Sequence, residues 1–165
     1  MKKRFAFILL VLFLVSGFIF ADSAFAVKKI YTFGGGPAGG TFQFMAGGIS
    51  TYKPVKNIED FRILAKASGG SVENMRSVNS GRFDMGVVYS GHVYLGRNGM
   101  MKKDDTKYED VLGVGFFYGA PAQLVVRKKA DIDSVKDLVG KKVGVGNAGS
   151  GAYANCDMFF NHMGV

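Results

Sequence analysis

The sequence predicts an α/β fold with a largely parallel sheet, and three observations carry that prediction. Short β-like runs alternate with stretches whose apolar residues recur at helical spacing, the pattern of a chain that crosses from strand to helix to parallel strand. Glycine-rich turns stand at three strand-to-helix junctions, 34–41, 68–71 and 147–151. Cys156 is the only cysteine, so no disulfide closes within the chain and a packed core has to carry the stability.

Residues 1–26 read as an export signal rather than as fold. Lys2, Lys3 and Arg4 make a basic start, 5–20 an almost unbroken apolar run, and Ala24-Phe25-Ala26 a small-x-small cleavage site that releases Val27. An uncleaved anchor is the alternative, because the run is long for a signal and short for a comfortable span. Either way the body of the protein is expected outside the cytoplasm, in the periplasm. Without Lys2, Lys3, Arg4 and Asp22 the formal charge of +8 falls by three and rises by one, to +6. That field suits anionic ligands. The lysines are scattered, so most read as solvated surface, and nucleic acid is not an expected partner. His92 and His162 stand apart from any Cys or acidic residue at metal-ligand spacing, so no metal or other cofactor is expected.

Residues 28–33 (KKIYTF) predict the first strand and 41–52 (TFQFMAGGISTY) a helix behind a Thr. A second strand follows at 61–67, then a Ser/Gly turn, a helix through 72–78 and a stop at Gly81. Residues 83–89 (FDMGVVY) predict a short buried strand, and SGHVYLGRNG a small helix or turn. The polar stretch 100–110 reads as a surface excursion. Beyond it, 111–119 and 122–132 predict two strands with a crossing between domains near Pro121. A short helix at 133–138, a strand at 141–145 (KKVGV) and a helix at 152–163 complete the chain.

Glycine-rich turns before helices let backbone approach a ligand and aim unpaired amides outward, and the helix end adds roughly half a positive charge. Such ends hold carboxylates and phosphates. Three of them converging on one cleft would form a polar cage; a single one is equally a cheap way to turn a chain. Gly34, Gly36 and Gly39 also satisfy GxGxxG after a strand, with Glu59 and Asp60 about 20 residues on, so a dinucleotide-binding oxidoreductase domain is the enzymic alternative. A signal-anchored α/β protein with purely structural loops is the third reading. No GxxxxGK[ST] and no GxSxG occurs, which removes the P-loop and the nucleophile elbow. Ser71 with Asn74 reads first as a helix cap.

Four segments together resemble the TAXI family of solute receptors that serve TRAP (tripartite ATP-independent periplasmic) transporters: GGGPAGGTFQ at 34–43, ASGGSVENMRSVNSGRFDMGVVYSG at 67–91, YGAPAQLVVRK at 118–128 and DLVGKKVGVGNAGSG at 137–151. The resemblance implies a type II periplasmic binding fold, two α/β lobes closing on a small organic acid or amino acid of the glutamate or 2-oxoglutarate class, with a membrane permease as partner and no catalysis. It implies lobe one at 27–121 and the start of lobe two at 122–165, with the remainder of lobe two on chain beyond Val165. Carried over, Gly39, Gly40, Thr41 and Phe42, then Gly69, Gly70 and Ser71 with Asn74 behind, then Tyr89 and Ser90 face the cleft from lobe one. Asn147, Ala148, Gly149, Ser150 and Gly151 face it from lobe two, and Tyr118 touches the ligand from the crossing. Where many members carry Gln-Ser-Asp this chain has Tyr89-Ser90-Gly91, and where many carry GSGT it has Gly149-Ser150-Gly151-Ala152.

Overall fold

The computed structural model describes residues 28–165; the expected export signal lies outside the described residues. Three parallel strands form one sheet in the order β2-β1-β3: β1 Lys29–Gly34, β2 Phe61–Lys66 and β3 Met85–Gly86. β1 is central, paired along its length with β2 from Lys29↔Phe61 to Gly34↔Lys66, and with β3 only at Phe33↔Met85 and Gly34↔Gly86. The helices are α1 Thr41–Thr51, α2 Lys53–Lys56, α3 Ser71–Asn79, α4 Ser90–Arg97 and α5 Gly151–Met163, with one 3₁₀ turn at Val135–Leu138.

Adjacent residues of β1 point to opposite faces, and each face receives a helix. Phe33 packs with Ala46 of α1 and Val87 in one buried cluster. On the other face a Cβ on Gly34 would stand 2.5 Å from Oδ1 of Asn74 in α3, and one on Gly35 would stand 2.8 Å from Cα of Gln43 in α1. The bare backbone after β1 therefore admits a helix from each side, closer than any side chain would allow. A second cluster, Met75, Tyr108 and Val111 with Val93 and Met101 against it, fastens α3 and α4 to the 100–111 excursion.

β3 is shorter than the expected 83–89 strand because a side chain takes over the ladder. Oδ2 of Asp84 accepts hydrogen bonds from Thr32 N at 2.7 Å and from Thr32 Oγ1 at 2.8 Å. These bonds, the backbone one foremost, hold the Asp84 carboxyl below its usual range. The expected strands at 111–119, 122–132 and 141–145 are a correction: the chain there makes no ladder, and near 127–131 it turns, Ala130 N donating to Arg127 O at 2.9 Å. A strand acquires its hydrogen bonds only from a neighbour, and among the described residues no strand pairs with these runs. Their apolar side chains are correspondingly open, Val114 at 98% and Phe116 at 82% exposure. The described residues thus form one sheet and no second one. The helix expected at 133–138 is the 3₁₀ turn, closed by a capping box between Ser134 and Asp137.

The excursion is pinned by charge. Asp104 Oδ2 accepts from Arg76 Nη2 at 2.8 Å and from Tyr108 Oη at 2.5 Å. The Tyr108 hydroxyl first, then Thr106 and Arg76, hold the Asp104 carboxyl far below the carboxylate range. A carboxyl depressed in the folded state stabilises above its unfolded pKa and loses that contribution as pH falls. Stability should therefore drop as pH falls below about 4. Asp104→Asn should cost about 1 kcal/mol at neutral pH and flatten that acid limb, as read by urea denaturation across the pH range.

Candidate functional site

In open parallel sheets, ligands bind outside the carboxyl ends of the strands, where successive crossovers leave in opposite directions. Here β1 is that point, since β2 lies on one side of it and β3 on the other. The turns that follow β1, β2 and β3 lead into α1, α3 and α4, so three helix N-termini gather at one end of the sheet.

Tyr89, the residue before α4, is the hub. Its ring meets Phe42 edge-on at 5.1 Å between centroids and His92 at 5.7 Å. Its amide donates to Ser71 Oγ at 2.9 Å. A Cβ on Gly151, the first residue of α5, would fall inside the edge of the Tyr89 ring and 2.9 Å from Ser71 Cβ. A fourth helix N-terminus thus arrives from the far segment of the chain. Burial, then the neighbouring Tyr118, pushes the Tyr89 hydroxyl up from its ordinary value.

Of the expected site residues, the structure brings together Phe42, Gly69, Gly70, Ser71, Tyr89 and Tyr118 with Asn147, Ala148, Gly149, Ser150 and Gly151. It leaves Gly39 and Thr41 exposed on the open side, linked to the hub only through Phe42, with Gly40 as the residue before α1. Ser90 is exposed at the start of α4. Asn74 serves the sheet: its Nδ2 donates to the carbonyls of Gly34, Gly35 and Val87 at 3.1, 2.6 and 2.9 Å. The cap expected from Ser71 and Asn74 is likewise absent. Gly70 precedes α3 at φ 115 without a side-chain cap, and Glu73 reaches back to accept from Gly69 N at 2.7 Å.

The second and third glycine loops do not face each other across a gap. Glu73 N donates to Gly149 O at 3.2 Å and Asn147 Nδ2 to Gly69 O at 3.2 Å, so their polar groups are spent on one another. The open space lies beside them, in a cleft of 1150 Å³ lined by the segments 120–127 and 141–146, by α5 and by Tyr89. Arg127, Lys129, Lys141 and Lys142 line it, and among the described residues no carboxylate does. Sequence reading treated these cations as scattered surface; their convergence depends on how 120–146 folds back on α5, and spacing along the chain carries no sign of it.

Ser71 and His92 form a pair that superficially resembles a nucleophile with its base, Oγ to Nδ1 at 2.9 Å. Both are buried, and Ser71 Oγ already accepts from Tyr89 N. The hydroxyl oxygen keeps a second lone pair, so the Oγ–Nδ1 bond fits either tautomer of the His92 ring. Burial holds the His92 imidazolium below its usual value, so the ring is neutral at pH 7; an approach by Asn155 offsets part of the shift, yet Nε2 makes no hydrogen bond of proper geometry. As pH falls below the usual histidine value, about 6.5, the unfolded chain takes up a proton that the folded one refuses, and stability declines.

The dinucleotide reading meets a geometric obstacle. Glu59 and Asp60 precede β2, and Asp60 O accepts from Lys29 N at the start of β1. They sit at the opposite end of the sheet from the Gly34–Gly39 turn, whereas the ribose-binding carboxylate belongs at the same end as the glycines.

Residues 33–165 match the model of the NMT1-like family. The chain belongs to that family. The NMT1-like family is one of periplasmic solute-binding proteins of the kind that deliver substrates to transporters, so membership supports a role in solute binding. The small α/β body with its three-stranded parallel sheet is compatible with part of a periplasmic-binding-like domain.

Proposed function

We propose that this protein is the solute receptor of a TRAP-type secondary transporter, of the TAXI kind, which captures a small carboxylate or amino acid outside the cytoplasm and passes it to a membrane permease. The observation that carries the reading is the meeting of four helix N-termini around Tyr89, at the carboxyl ends of the parallel strands, beside a cleft lined by four cations. Helix ends and ammonium groups both favour a negative guest, and Phe42, Tyr89 and Tyr118 offer flat apolar surface for its carbon skeleton. Binding without chemistry is favoured because the Ser–His pair is sealed from substrate. Release of 1–26 leaves the receptor free in the periplasm.

Calorimetric titration of the chain with glutamate, 2-oxoglutarate and nicotinamide dinucleotide tests the reading. The two carboxylates are expected to bind, more weakly as salt is raised. Tight binding of the dinucleotide with silence from both carboxylates overturns the assignment. Recovery of the protein from the membrane fraction rather than the periplasmic one overturns the proposed localisation.

A further inference from the structure

The charge around the cleft beside the hub distinguishes between two kinds of guest, an acid and an amino acid. Arg127, Lys129, Lys141 and Lys142 line it, and among the described residues none of the four has an ion-pair partner. Carboxylates of the surrounding segments are committed elsewhere or stand outside. Asp157 of α5 is held by Lys102 at 2.7 Å. Asp137 accepts from Ser134 N at 2.8 Å and from Ser134 Oγ at 2.9 Å within its own capping box. Asp131 and Asp133 are exposed and do not line the cleft. The uncharged polar side chains of the lining, Gln123, Asn155 and Tyr89, can accept a hydrogen bond but supply no negative charge. Four cations in one concavity sum to a positive field that only a guest can neutralise there.

A guest carboxylate relieves the repulsion among these cations, whereas a guest ammonium adds a further positive charge with no carboxylate to receive it. From this we infer that the cleft selects against the ammonium group: its solute is a dianionic acid without an amine, and amino acids are the weaker guests. The inference rests on the reading of the chain as a solute receptor and narrows the substrate class of that same site. Selection works here through the missing partner as much as through attraction, because an unpaired like charge penalises the wrong guest. The cations come from two separate stretches of chain, 127–129 and 141–142, so an acid with two carboxylates can be held from both.

Calorimetric titration with 2-oxoglutarate, glutarate and glutamate at neutral pH tests it. 2-Oxoglutarate and glutarate should bind alike, and about tenfold or more tighter than glutamate. Lys142→Glu gives an ammonium its missing partner, so it should weaken 2-oxoglutarate and bring its affinity close to that of glutamate. Lys103→Glu makes the same change of charge at an exposed position that does not line the cleft, and should leave the preference as it is. Cys156, the only cysteine, is partly buried and lines the cleft, so its alkylation by uncharged iodoacetamide should slow when 2-oxoglutarate saturates the protein. Equal affinity for glutamate, or glutarate falling with glutamate, overturns the inference and leaves a carboxylate receptor standing. A preference unmoved in Lys142→Glu overturns it too, as does unaltered alkylation of Cys156, which places the acid elsewhere. Silence from all three acids overturns the receptor reading itself, and this inference with it.

Discussion

Asn74→Leu should destabilise the protein by about 1–3 kcal/mol, a large effect for a change of near-constant volume. The Asn74 amide is buried and bonds three carbonyls from two turns, Gly34 and Gly35 after β1 and Val87 after β3. Not all three are orphaned by the substitution. Gly34 O keeps the amide of Val87 at 3.0 Å, and Gly35 O keeps Ser68 Oγ at 3.2 Å. Val87 O loses its bond outright, and the other two lose their shorter or second partner. Asn74→Asp should be worse at neutral pH, because a carboxylate then faces three carbonyl oxygens with nothing to donate; uncompensated buried charge costs roughly 3–5 kcal/mol. Burial raises that carboxyl in the folded state above its unfolded value, so the penalty is full above the folded pKa and is relieved as pH falls toward about 4. Urea denaturation of both variants at neutral and acid pH checks this. A loss under about 1 kcal/mol for Asn74→Leu would mean that the two turns are held together by packing alone.

The same residue shows where sequence reading succeeds and where it stops. A strand, a glycine turn and a helix leave local signals: alternation in 28–33, apolar spacing in 41–52 and glycine at each junction. These elements formed within a residue or two of expectation. What Asn74 does is not local. Its position four residues into a helix after a Ser/Gly turn is equally that of a cap or a ligand contact, and only the arrival of two strand ends from 34–35 and 87 decides between them. The runs at 111–119, 122–132 and 141–145 make the complementary point. Their composition is strand-like, but strand formation is a property of a pair, so composition without a paired neighbour yields irregular chain and exposed valines. No element was expected at α2; its Pro54 lies within the first turn, where a missing N–H has no cost.

The candidate site was legible to the same degree. The glycine loops announced helix N-termini, and these do gather at the carboxyl ends of the strands. Which loop touches which, and whether a gap remains between them, depends on the path of 112–146, where periodicity is absent. His92 was invisible as a contributor because a lone histidine in SGHVYLG carries no spacing signal; its partner Ser71 lies 21 residues away. The only clue was Ser71 itself, a hydroxyl in a glycine turn with no obligation to cap its own helix once Gly70 had taken that place.

Gly151→Val should detach α5 from the hub and lower solute affinity by about tenfold or more, the equivalent of roughly 1.4 kcal/mol or above. Glycine stands at the start of α5 because the helix meets the Tyr89 ring and the Ser71 side chain there. The added Cβ would overlap the Tyr89 ring and stand 2.9 Å from Ser71 Cβ, and neither neighbour can yield freely. Tyr89 is held by its amide on Ser71 and its ring on Phe42, while Ser71 is buried and bonded to His92. Overpacking of this kind costs about 1–3 kcal/mol when the surroundings must shift. The contacts that hold the segment in place are few: Asn147 on Gly69 O, Glu73 N on Gly149 O, the cap of Ser150 Oγ on Tyr153 N at 3.0 Å, and the Lys102–Asp157 pair. The cap is internal to α5 and the ion pair is partly exposed, so neither compensates the strain. Relief should therefore come by release of 147–163 while β1–β3 and α1 stay folded. Hydrogen exchange should show faster exchange in α5 and at Glu73 N, with the amides of β1 unchanged. If α5 remains protected and the solute still binds with undiminished affinity, the packing of Gly151 on Tyr89 is not what holds the far segment at the site.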